Sequence, residues 1–171
     1  MNWFTSDLHV GHFNILRYQN RPFKDIKEMN DKLIDNWNER IQPEDVVYVL
    51  GDFAMSRHYD WIIELLNGEK HLIFGNHDKQ PQKLLERGFV EVVPEKKIKL
   101  GNREVLLNHF PYDNIDPRFE QRKPKDKGLL LLHGHTHRHD PLRLDKRMID
   151  VGVDGHNYYP WSEEEILELI K

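Results

Sequence analysis

The chain has 171 residues, with 25 Lys and Arg against 29 Asp and Glu, and no cysteine. A formal charge of −4, with 38% hydrophobic and 32% charged residues, describes a polar soluble chain of one ordinary domain's length, large enough for a sizeable core and without an overall basic field for nucleic acid. The missing cysteine removes disulfides, thiolate metal sites and cysteine nucleophiles. Met1 to Asp7 has no leader pattern, and no apolar run approaches the roughly 20 residues of a membrane span, so the expectation is a cytoplasmic protein with no membrane partner.

Trp3 to Ser6 reads as a buried strand, which sets Asp7 at its C-terminal end. Gly11 to Leu16 reads as a short helix. Asp25 to Arg40 is a longer one, with Ile26, Met29, Leu33 and Trp37 striping one face at three-to-four spacing. Asp45 to Leu50 is a strand ending at Gly51-Asp52. Tyr59 to Leu66 reads as a helix stopped by Asn67-Gly68, His71 to Phe74 as a strand ending at Gly75, and Pro81 to Arg87 as a helix stopped by Gly88. This alternation argues for a parallel sheet. Phe89 to Val93, Lys96 to Leu100 and Glu104 to Asn108 are strands, the last two joined by the Gly101-Asn102 turn. After a polar loop from Pro111 to Gly128 come strands at Leu129 to His133 and Met148 to Val153. A closing helix runs from Ser162, with Glu165 in capping-box spacing. The pattern predicts an α/β chain of two sheets packed face to face with helices outside, as a single domain over 1–171 with no cap domain.

Five short motifs fall at or near the ends of these apolar runs: Asp7-x-His9, Gly51-Asp52, Gly75-Asn76-His77-Asp78, Asn108-His109 and Gly134-His135-x-His137. Strand ends of an α/β sheet line up along one edge, where ligands bind. A mixed imidazole and oxygen set suits divalent first-row metals and is compatible with manganese, iron, nickel or zinc, of which manganese is the one expected here. Each motif alone also has a plain reading as a turn, a loop cap or a core histidine. The alternating histidines from His133 to His139 are the strongest single signal, because alternation on an extended segment puts them on one face. His77 is placed to donate a proton to a departing oxygen, and Asp78 to hold its other ring nitrogen. Arg17 and Arg21 are candidate bidentate phosphate ligands and His12 a supporting group, with solvated arginines as the competing reading.

In order and spacing these five blocks resemble the calcineurin-like metallophosphoesterase superfamily, in its compact small-phosphoesterase form. Asn157-Tyr158-Tyr159-Pro160 before the last helix is a second, weaker point of likeness. The resemblance implies a four-layer α/β/β/α sandwich of two mixed sheets flanked by helices. It also implies two divalent metal ions, one held by Asp7, His9, His137 and a shared Asp52, the other by Asp52, Asn76, His109 and His135. His77 would be the non-ligand histidine facing the leaving group. The implied chemistry is direct attack of a metal-bridging hydroxide on a phosphoester, with phosphodiesters such as cyclic nucleotides or nucleic-acid ends favoured over small phosphomonoesters. No protein partner is evident. The rival readings are a non-catalytic protein-binding scaffold, which should have lost ligands, and a mononuclear module built on the His133 to His139 cluster, which leaves Asp7-x-His9 and Asn76-His77 unexplained. The basic Lys96 to Arg103 hairpin and the Arg118 to Lys127 loop read first as solvated edges.

Overall fold

β1 (Asn2–Thr5), β2 (Val46–Val49), β3 (Glu69–Ile73) and β4 (Phe89–Val93) lie side by side in that order, all parallel. β5 (Glu95–Leu100) and β6 (Arg103–Asn108) form the antiparallel hairpin that opens a second sheet. β7 (Leu130–His133), β8 (Leu142–Arg143) and β9 (Met148–Asp150) complete it in the order β5-β6-β7-β9-β8, with β6, β7 and β9 parallel. β10 (Trp161–Ser162) returns to the first sheet, antiparallel to β1. Both sheets are therefore mixed and five-stranded. The computed structural model describes every residue except Ser56, and every other side chain except those of Arg57, Tyr59 and Asp60.

The continuous apolar runs are strands buried on both faces. In β2, Val47 and Val49 pack outward among Met29, Leu33 and Trp37 of α2 (Ile26–Arg40). Tyr48 and the following Leu50 face the other way, into the layer between the sheets, with Phe4, Ile73, Leu107, Leu132 and Ile149. Each such buried aliphatic or aromatic side chain contributes roughly 1.5–3 kcal/mol. Asp25 caps α2 by accepting from the Glu28 amide at 2.9 Å. α3 (Pro81–Arg87) adds Leu84 to the outer core. α4 (Glu163–Leu169) starts with the Ser162–Glu165 capping box and inserts Ile166 into the inter-sheet core.

Several elements differ from the sequence pattern. The first short helix, α1, covers Ile15–Tyr18 instead of 11–16, because the His9 and Val10 amides are tied to the Asp52 and Phe53 carbonyls and the chain then turns at Gly11, with φ 75°, before the helix begins. Arg57–Leu65 is a 3₁₀ helix rather than an α-helix. β9 stops at Asp150, whose side chain turns back to accept from the Gly152 amide. Over the outer face of the second sheet, Leu106, Leu131 and Met148 are covered by Tyr112 and Leu129. The fourth layer of the sandwich is thus the 111–128 loop, which carries the 3₁₀ helix Pro117–Arg122.

Candidate metal centre

The C-terminal ends of β1, β2 and β3 in one sheet meet those of β6 and β7 in the other, so the five motifs converge at one edge. Asp7, His9, Asp52 and His109 are buried. Asp52 is at the centre: its Oδ2 is 3.7 Å from His9 Nε2, 3.5 Å from His109 Nε2 and 3.9 Å from His77 Nε2. On one side of it Asp7 Oδ1 is 3.9 Å from His9 Nε2 and 3.8 Å from His137 Nε2. On the other, Asn76 Oδ1 is 3.0 Å from both His109 Nε2 and His135 Nδ1. Two donor clusters with a common carboxylate are therefore present. Asp7 Oδ1 and His9 Nε2 are buried without a hydrogen-bond partner. Such orphans are costly, and a cation between them resolves both, so the residues fit divalent metal.

The backbone carries part of the cost. Asp7, His9, Asp52, His135 and His137 all have positive φ, between 49° and 71°. A non-glycine residue held in the left-handed region costs on the order of 1–3 kcal/mol and clusters at functional sites. Close approach explains two of the motif glycines: a Cβ on Gly134 would collide with Ser6 Oγ and Asp7 Oδ2, and one on Gly75 with the Asp52 carboxylate.

Supporting contacts set the imidazole tautomers. His109 Nδ1 donates to the Leu50 carbonyl at 2.7 Å and His137 Nδ1 donates to Asp154 Oδ2 at 2.8 Å, which turns each Nε2 toward the cluster. Asp7 Oδ2 accepts from Ser6 Oγ at 2.5 Å and from the His135 amide at 2.9 Å, leaving Oδ1 inward. Burial lifts Asp7 to about 6, and burial lowers His135 to about 4 and His9 well below its ordinary value. For His109 burial works downward, yet the Asp52 carboxylate outweighs it and raises the ring to about 9. Burial likewise works upward on Asp52, and the neighbouring imidazoles His109 and His9 overcome it and hold the carboxylate below its usual range.

His77 is the open member of the group. Its side chain is 36% exposed, its amide donates to Asp52 Oδ1 at 2.8 Å, and its ring stands 5.3 Å from His9 and 6.2 Å from His12. His12 sits beside His9, Nδ1 to Nδ1 at 3.4 Å. His133 is buried inside β7, and His139 is exposed with Nδ1 3.1 Å from the Asp154 carbonyl.

Two sequence expectations are corrected. Asp78 does not hold the His77 ring: its carboxylate accepts from the amides of Asp52 (2.8 Å), Phe53 (3.0 Å) and Gly75 (2.8 Å), so it shapes the two ligand loops instead. Arg21 is not turned toward a phosphate. It is buried, with Nε and one terminal nitrogen on Asp154 at 2.8 and 2.9 Å and its remaining donors on the Asp7 and Leu8 carbonyls. Arg17 is exposed on α1. Asp154 is the residue the sequence pattern missed: it joins Arg21 to His137, and only its place just past a strand candidate, in Val153-Asp154-Gly155, signalled it. Burial works upward on its carboxyl, but His137 and Arg21 bring it down to about 2. Removing one partner of a buried pair leaves the other charge stranded, so Arg21→Met is expected to destabilise the fold by about 3–5 kcal/mol. Urea unfolding checks this. A raised KM with unchanged stability would instead return Arg21 to the substrate.

A two-sheet sandwich that gathers histidine and carboxylate donors at its strand ends makes a candidate centre for divalent metal. A family model described as the calcineurin-like phosphoesterase superfamily domain matches residues 3–152, and the chain belongs to that superfamily. It is 33% identical to the uncharacterized protein MJ1445 of Methanocaldococcus jannaschii, over 99% of this chain and 90% of that one. It is 35% identical to the gene 66 protein of Mycobacterium phage D29, over 94% and 92% of the two chains. Among solved structures, the protein of unknown function AQ665 from Aquifex aeolicus superposes with a TM-score of 0.81 at 32% identity, covering 99% of this chain and 98% of that chain. No helix of the described residues is long and apolar enough to cross a membrane.

Proposed function

We propose that the chain hydrolyses phosphodiesters at a centre of two divalent metal ions, one held by Asp7, His9, His137 and Asp52 and the other by Asp52, Asn76, His109 and His135. The observation that carries this reading is the pair of donor clusters on either side of Asp52 Oδ2, with Asp7 Oδ1 and His9 Nε2 buried and unpartnered. Cations bound there supply positive charge for the phosphate oxygens and lower the pKa of a water molecule. Asp52 contributes the negative charge that lets two dications sit close together. Leu50 and Asp154 keep His109 and His137 in the tautomers that present Nε2. His77 remains free to donate a proton to the departing ester oxygen, and its partial exposure leaves room for an ester arm beside it. Manganese is expected among the activating metals, since the donors include no thiolate.

Metal content and substrate preference test the reading together. About two equivalents of tightly held metal per chain are expected, and one equivalent would favour a mononuclear module. With a single metal condition, kcat/KM for bis(4-nitrophenyl) phosphate should exceed that for 4-nitrophenyl phosphate. A monoester preference of about tenfold, or 1.4 kcal/mol, would overturn the diester assignment and leave the ligand assignments standing. Full metal occupancy with no hydrolysis of either ester would favour the scaffold reading.

A further inference from the structure

A cavity of about 400 Å³ opens between the β5–β6 hairpin and the 121–129 segment, on the outer face of the second sheet. Its floor is apolar, from Leu106, Leu129, Pro124 and Tyr112. Its rim is cationic, with Lys97, Arg122, Lys123, Lys125 and Lys127 set against one acid, Glu95. Glu95 is already 3.4 Å from Asn108 Nδ2. Lys97 and Lys123 have weak exposed partners in Glu104 and Glu120. Lys125 and Lys127 are exposed and make no ion pair among the described residues. A surplus of this sign on a chain of net charge −4 is local, and it surrounds a floor suited to a flat apolar group.

One wall of the cavity is also the back of the metal centre. Arg122 donates to the Phe74 carbonyl at 2.5 Å and the Gly75 carbonyl at 3.2 Å, immediately before Asn76, and its guanidinium lies 5.0 Å from the centre of the Phe110 ring. Phe110 in turn packs 4.9 Å from His109 and 4.8 Å from His135. The cavity therefore adjoins the Asn76, His109 and His135 side, whereas the His77 ring keeps company with His9 and His12.

We infer that this cavity receives one nucleotide unit of a single-stranded nucleic-acid substrate, the arm retained on phosphorus when His77 protonates the other. This rests on the proposed phosphodiester reading and names its substrate class. A simple anion needs no apolar floor, and an apolar ligand gains nothing from five cations. A nucleotide presents both a base and a phosphate, and the volume falls in the 300–1,000 Å³ range of small-ligand sites. Basic tracks with aromatic or apolar platforms are the general means of holding single strands. Arg122 serves as the fixed guanidinium between the scissile position and the next phosphate, with Lys125 and Lys127 at the outer end.

The test is binding, read apart from turnover. A fluorescein-labelled thymidine tetranucleotide with phosphorothioate linkages is titrated at low ionic strength with the metal-loaded wild type, with K125E/K127E, and with K24E/K27E. The last changes net charge equally but on exposed residues at the start of α2. The expected result is a rise in Kd of about tenfold or more for K125E/K127E and little change for K24E/K27E, with a shallower salt dependence in the first. Equal losses in both pairs, no loss in the first, or no binding by the wild type would overturn the assignment. Hydrolysis of bis(4-nitrophenyl) phosphate by the wild type is measured in parallel. Hydrolysis with lysine-insensitive binding rejects the cavity alone. Lysine-dependent binding without hydrolysis rejects the phosphodiesterase reading alone.

Discussion

Asp52→Asn is expected to reduce hydrolysis by about 10³-fold or more, beyond the 10–100-fold typical of losing a contact that only supports a ligand. The reason is position. Asp52 Oδ2 lies within 4 Å of imidazole nitrogens on both sides of the centre, and Oδ1 is committed to the His77 amide at 2.8 Å. An amide side chain removes the charge that offsets repulsion between two cations. It also gives one oxygen two incompatible tasks, facing the metals and accepting from His77. Metal content should fall together with activity. Near-wild-type turnover with two metals bound would show that Asp52 is not shared. His137→Ala should cost less, because Asp7, His9 and Asp52 still surround the same point.

His77→Ala separates proton donation from metal binding. Both metals should stay bound, since the His77 contact to Asp52 Oδ1 is made by its backbone amide and survives the change. Hydrolysis of an alkyl diester should slow by roughly 10²–10⁴-fold, the range for a general acid. A nitrophenolate leaves without help, so a nitrophenyl ester should suffer far less. Equal losses for both esters would mean that His77 acts on phosphate binding and not on the leaving group.

The candidate ligand residues are legible because most of them follow apolar runs that read as buried strands. Asp7, Asp52, Asn76 and His109 inherit their place from β1, β2, β3 and β6, and no long-range information is needed to put them on one edge. The capping box at Ser162 and the stripe on α2 are local in the same sense. What stayed hidden depends on contacts between distant segments. Arg21 and Asp154 are 133 residues apart, and an arginine after a ligand pair looks like an anion ligand until its buried partner is seen. Asp78 was misread because adjacency to His77 suggested a side-chain pair, whereas the turn from Gly75 folds the carboxylate back onto three amides. β8 and β10 have two residues each and exist only through their neighbours' edges. Arg122 lies in a polar loop whose sequence carries no periodicity, and only its docking on the Phe74 carbonyl gives it meaning.

The first sheet supplies Asp7, His9, Asp52 and Asn76 to the centre, and the second supplies His109, His135 and His137. With cations held as proposed, each is a clasp across the seam between sheets that share no strand. Binding to the folded chain and not to the open one adds about RT ln(1 + [M]/Kd) to stability, roughly 2.7 kcal/mol at a hundredfold excess over Kd. That energy is stored as adhesion between the sheets and also offsets the backbone strain at Asp7, His9, Asp52, His135 and His137. On that reading, metal supply would bear on how long the protein survives as well as on how fast it works. If the metal reading holds, loss of metal would lower the stability of the folded chain and make it a better substrate for proteases.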